Sequence, residues 1–127
     1  MPKISVNTGS ALGAYSSAVV AGNHCYVAGT GGFLPGTTTI VDGGVDAEIR
    51  QTMENLKGTL EQARFSLESV VSLTCYLKDI ADWGRFNEIY REYFPSEPPA
   101  RAAVAVNEMP AGANIEVTAV AWREDMA

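Results

Sequence analysis

The sequence predicts an α+β protein, a two-layer sandwich in which one mixed β-sheet carries two helices on one face. Short β-branched apolar runs sit at both ends of the chain and once in its middle, and two stretches with apolar residues at helical spacing lie between them. At 127 residues, 46% hydrophobic and 19% charged, the chain fits one folded domain over residues 1–127.

Lys3-Ile4-Ser5-Val6 alternates as a strand does. The runs Ser17–Ala21 and Cys25–Ala28 flank Gly22-Asn23, a turn dipeptide that favours a hairpin. Gly31 to Gly44 is a long loop, with Pro35-Gly36 suited to a type II turn. From Asp46 to Arg64, Ile49, Met53, Leu56 and Leu60 form one helical stripe. Asp46 stands where an N-terminal cap would help, and tight packing against a sheet would account for Gly58. Val70–Leu77 reads as a buried strand. A second helix runs from about Ala81 to Phe94, with Phe86, Ile89, Tyr90 and Tyr93 on one side and Pro95 as its stop. Two strands, Ala102–Val106 and Ile115–Trp122, follow, with Pro110, Gly112 and Asn114 between them, and are expected to be antiparallel neighbours. The sheet face away from the helices is then bare, and self-association is expected to bury it.

Composition narrows the chemistry. Nine basic residues against fifteen acidic ones give a net charge of −6, which argues against a nucleic-acid partner. Cys25 and Cys75 are far apart and each sits in an apolar run, so two reduced, buried thiols are expected. With His24 as the single histidine, neither a two-His zinc site nor a structural zinc site is expected, and no Walker A loop or dinucleotide motif occurs. No signal segment or long apolar stretch is present, so the expectation is a cytoplasmic protein with no membrane partner and no cofactor.

Arg101 and Glu116 interrupt otherwise apolar strands. A register pairing them also pairs Val104 with Ala113, which would place both charges on one sheet face. One reading is a simple salt bridge. The other is a site: an arginine fork grips a carboxylate in bidentate fashion, and a nearby glutamate relays a proton through one water. Such equipment, lacking metal and nucleophile, suits hydrolysis of something already reactive.

Several segments carry a family resemblance. Gly13-Ala14-Tyr15-Ser16-Ser17-Ala18-Val19 resembles the pattern G-P-Y-S-Q-A-V, Gln51–Lys57 resembles Q-T-x-x-x-N-L, and Phe86-Asn87-Glu88-Ile89-Tyr90 resembles F-N-x-x-Y. Pro99-Ala100-Arg101 and Ile115-Glu116-Val117 resemble its P-A-R and I-E-x pair. Together these marks, over roughly residues 10 to 122, resemble the RidA/YjgF family. The resemblance implies a chorismate-mutase-like fold, a homotrimer with three clefts between subunits, and deamination of 2-aminoacrylate-like enamines and imines. It implies that Arg101 holds the substrate carboxylate, that Glu116 positions the attacking water, and that Tyr15, Gly29 and Asn87 line or border the cleft. Interface packing, backbone geometry and a helix-cap or structural hydrogen bond are the respective alternatives for those three. Two departures bear on substrate choice: Ala28-Gly29-Thr30 replaces Ser-Gly-Gln, and Ala103 stands where cysteine is common. They leave open a pathway-specific member acting on an aminomuconate-like enamine, or a non-catalytic trimer that binds small carboxylates.

Overall fold

The computed structural model describes residues 3–9 and 13–124. Eight principal elements follow in order: β1 (Ile4–Val6), β2 (Ala18–Ala21), β3 (His24–Gly31), α1 (Gly44–Gln62), β4 (Val70–Leu77), α2 (Trp83–Tyr93), β5 (Ala100–Ala105) and β6 (Ile115–Trp122). They form one six-stranded mixed sheet in the order β1-β2-β3-β6-β4-β5, with the two helices on one face.

Strand alternation builds the core. Ile115, Val117, Ala119 and Ala121 of β6 are buried beneath the helices, while Glu116, Thr118 and Val120 between them are only partly covered. Leu73, Cys75 and Leu77 of β4 and Cys25 and Val27 of β3 extend the same buried layer. Helix α1 lays Ile49, Met53, Leu56 and Leu60 onto it, and α2 adds Phe86, Ile89 and Tyr90. The other face bears Tyr26, Tyr76, Val104 and Val120 and has no layer above it among the described residues.

The expected pairing of β5 with β6 does not occur. β5 runs parallel to β4 on its outer flank, as a strand–helix–strand crossover through α2 requires, with Arg101 beside Leu73 and Ala103 beside Cys75. β6 instead enters between β3 and β4, antiparallel to both. The turn residues Pro110 and Gly112 belong to a 3-10 turn within a connection that spans residues 106–114, longer than a hairpin loop. Burial explains the choice. β6 carries four buried apolar residues and suits the centre, whereas β5 is mostly exposed and suits an edge.

Elsewhere the turn chemistry acts as expected. Ala21 pairs with His24 across a two-residue turn in which Gly22 adopts φ 59°. The 31–44 loop is folded on itself: Phe33 bridges to Ile40, and Thr37 N–H donates to Leu34 O (3.0 Å) around the Pro35-Gly36 turn. Cys25 and Cys75 are free and buried. Two local expectations fail. Gly43 (φ 114°) occupies the cap position of α1, and Asp46, in the first turn, reaches Arg85 instead (3.3 Å). Gly58 packs against nothing, since a Cβ there would meet no atom within 4 Å.

The open space at Gly58 makes Gly58→Ala a clean test of helix propensity. It is expected to raise stability by up to about 1 kcal/mol, seen as a higher urea midpoint with unchanged slope. A lower midpoint would show that the space is required.

Candidate functional site

Arg101 lies on edge strand β5, and its register with Leu73 turns the side chain toward the helix layer. There the guanidinium carbon sits 4.9 Å from the Tyr90 ring centroid and 5.3 Å from that of Phe86. These cation–π contacts hold the planar fork by its faces and leave its N–H edges free, at about 0.5–2 kcal/mol each. Among the described residues the Arg101 side chain has neither an ion pair nor a hydrogen bond. It opens on a recess of about 330 Å³ bordered by Trp83, Asn87, Tyr90, Phe94, Pro98 and Pro99. Asn87 Oδ1 and the Tyr90 hydroxyl are both buried here without a hydrogen-bond partner among the described residues. Asn87 lies in the middle of α2, so it is not a cap, and its orphaned acceptor argues against a purely structural bond.

Glu116 lies elsewhere. It pairs with Tyr76 on β4 and Gly31 on β3, on the face turned away from the helices. Arg101 and Glu116 therefore lie on opposite faces of the sheet, with β4 between their strands, and the expected same-face pair does not form. The Glu116 carboxylate rests on the backbone of Gly29, where β3 bulges between Val27 and Thr30. A Cβ at Gly29 would overlap that carboxylate, coming within 2.8 Å of its carbon, so a side chain here would displace Glu116 from its seat; no positive φ is involved. Burial raises the Glu116 pKa above the ordinary carboxylate range. Tyr15, 45% exposed, borders the same cavity of about 1000 Å³ as Glu116 and Gly29.

The two departures also find places. Thr30 donates its hydroxyl to Ala28 O (2.9 Å), so this hydroxyl is turned onto its own strand. Ala103 lies beside Cys75, whose thiol burial pushes up to about 12, with the nearby Arg101 opposing the shift. Sequence reasoning placed Tyr90 only in the helix core and did not single out Asn55 or treat Glu48 as buried. A tyrosine one turn after Asn87 was the available sign for the first. Among the described residues no cluster of three metal-ligating side chains occurs, and no helix is long and apolar enough to cross a membrane.

The family model described as Endoribonuclease L-PSP, which is the RidA/YjgF family, matches residues 7–123. The chain belongs to this family. A 2-iminobutanoate/2-iminopropanoate deaminase of Rattus norvegicus is 43% identical over 112 residues, covering 88% of this chain and 82% of its own. The crystal structure of RidA from an Antarctic Psychrobacter matches with a TM-score of 0.86 at 35% identity, covering 92% of this chain and 94% of its own. E. coli TdcF with bound serine matches at 0.85 and 26% identity, covering 93% and 94%. The α+β sandwich is thus the RidA fold.

The raised pKa of Glu116 has a consequence for stability with a definite sign. A carboxyl whose folded pKa lies above its unfolded value favours folding when protonated, and loses that contribution as pH rises through the folded pKa. Glu116→Gln is therefore expected to melt higher than wild type at neutral pH. The difference should vanish as pH falls to roughly 4, the ordinary glutamate range. Calorimetric scans across pH check it, and a variant destabilised at neutral pH would contradict the assignment.

Proposed function

We propose that this protein hydrolyses 2-imino acids, in equilibrium with their enamines, to 2-oxo acids and ammonia, in a cleft completed by a second copy of the chain. The observation that carries this reading is Arg101: a cation with free N–H edges, fixed by two aromatic faces beside two unsatisfied polar atoms. The names of the rat relative and of the Psychrobacter structure support the reaction class.

The substrate carboxylate takes the N–H edges of Arg101, a bidentate charge-assisted contact that fixes the neighbouring imine carbon in space. Asn87 Oδ1, an acceptor without a donor, is suited to an N–H of the substrate. Glu116 lies on the far side of its own sheet, so one protomer does not bring both groups to one ligand. The uncovered sheet face supplies the means, because a homotrimer that buries it sets Glu116, Gly29 and Tyr15 of one copy against Arg101 of the next.

Glu116 then positions water against the imine carbon. Water oxygen bonds to that carbon while a proton passes by way of the carboxylate to the imine nitrogen, giving a carbinolamine. The hydroxyl proton then passes by way of the same carboxylate to nitrogen as the C=O bond forms and the C–N bond breaks with its electron pair on nitrogen, and ammonia departs from the 2-oxo acid. Burial raises the Glu116 carboxylate above its ordinary pKa and so makes it a stronger base than a free glutamate, which suits it to take a proton from water and pass it on. Free imines hydrolyse unaided, so orientation and proton transfer are sufficient and no cofactor enters. The partner is a small carboxylate. A net charge of −6 disfavours nucleic acid, whatever the family model's description.

An amino-acid dehydratase generating 2-aminoacrylate in situ, with pyruvate and ammonia followed, tests the reading. Wild type is expected to accelerate product release, and Arg101→Ala to lower kcat/KM by about a hundredfold or more while the assembly keeps its size by light scattering. Full activity in the assembled variant would refute the clamp. Carboxylate binding without turnover by wild type would leave a binding protein in place of an enzyme.

A further inference from the structure

Two polar side chains of α1 reach the two strand ends that bring Gly29 and Glu116 together. Asn55 gives both of its amide N–H groups to β3 and the residues after it, one to Gly31 O (2.9 Å) and one to Phe33 O (2.8 Å). Its own oxygen accepts from Gln51 Nε2 (2.9 Å), which fixes the orientation of the amide. Two turns earlier, Glu48 is 2% exposed. Its carboxylate oxygens accept from Asn114 N (2.7 Å) and Asn114 Nδ2 (2.8 Å), immediately before β6 begins. Between these contacts the chain runs tight against the helix: a Cβ at Gly32 would lie 2.5 Å from Glu48 O.

An apolar residue at Glu48 would fill the space without the cost of burying a carboxylate that, among the described residues, forms no ion pair. What the carboxylate adds is two directed acceptors on one residue, Asn114, two positions before Glu116. Asn55 acts likewise on β3 at Gly31, two positions after Gly29 and directly opposite Glu116, where the ladder resumes after the bulge. We infer that Glu48 and Asn55 are positioning residues, clamping the start of β6 and the end of β3 so that the Glu116 carboxylate is held on Gly29. The role in catalysis rests on the deaminase reading, whereas the geometric role does not.

The test has one readout for each. Carbon-13 NMR titration of the Glu116 carboxyl reports its environment directly in Asn55→Ala and Asn114→Ala, the latter removing one donor to Glu48 without emptying the core. Glu54 and Tyr15, which border the same cavity, and Tyr76 across the ladder are unchanged in both variants. In both, Glu116 is expected to titrate closer to the ordinary carboxylate range, with kcat for imine hydrolysis down at least about tenfold and KM within about twofold. Calorimetric binding of pyruvate, which reports Arg101, should be unchanged. An unaltered Glu116 titration in both variants would overturn the clamp, as would an equal shift in Ile89→Val, a core truncation on α2 remote from it. If wild type shows no turnover, the deaminase reading falls and the titration still decides the clamp.

Discussion

The central position of β6 governs the rest of the molecule. Once β6 lies between β3 and β4, its alternation fixes that Ile115 and Val117 go under the helices and Glu116 to the bare face. The same insertion pushes β5 to the edge, where register with β4 sends Arg101 toward α2. A one-residue slip of either strand would exchange these faces. Such a slip in β6 would bury a carboxylate and expose four apolar residues, so the arrangement is enforced by the hydrophobic core and not by the charges themselves.

Each charged group is accordingly held by something other than its opposite charge. Arg101 lies over Tyr90 and Phe86, whose rings orient its planar guanidinium and leave its hydrogen-bonding capacity unspent. Glu116 lies on a glycine at a strand bulge, partly withdrawn from water and without a cationic neighbour among the described residues. A direct salt bridge would have satisfied both groups and left neither available to a ligand. Separation on two faces leaves the two groups unpaired with each other in the protomer, and on the proposed reading a second protomer brings them together.

Much of this was legible in the residues. Ile49, Met53, Leu56 and Leu60 announce α1 by spacing alone, and the β-branched run at Val70–Leu77 and the alternation of Ile115–Trp122 gave those strands with their observed limits. Arg101 and Glu116 stood out because charge in an apolar strand is costly. Strand order was not legible. Turn residues at Pro110 and Gly112 look the same whether the chain doubles back beside β5 or crosses to the far flank of β4, because local chemistry does not encode which flank is free. Gly58 misled for a related reason, since a glycine in a helix reads as close packing until the space around it is seen. Glu48 looked like an ordinary first-turn acidic residue, and only tertiary structure shows it buried against Asn114.

The most direct measurement of the shared cleft is complementation between two inactive variants. Arg101→Ala and Glu116→Gln, co-expressed in equal amounts and purified as mixed assemblies, should recover about a quarter of wild-type sites if, as proposed, each site draws its arginine and its glutamate from different copies. Mixed assemblies that remain as inactive as either variant alone would contradict the account, placing both groups of each site in a single chain.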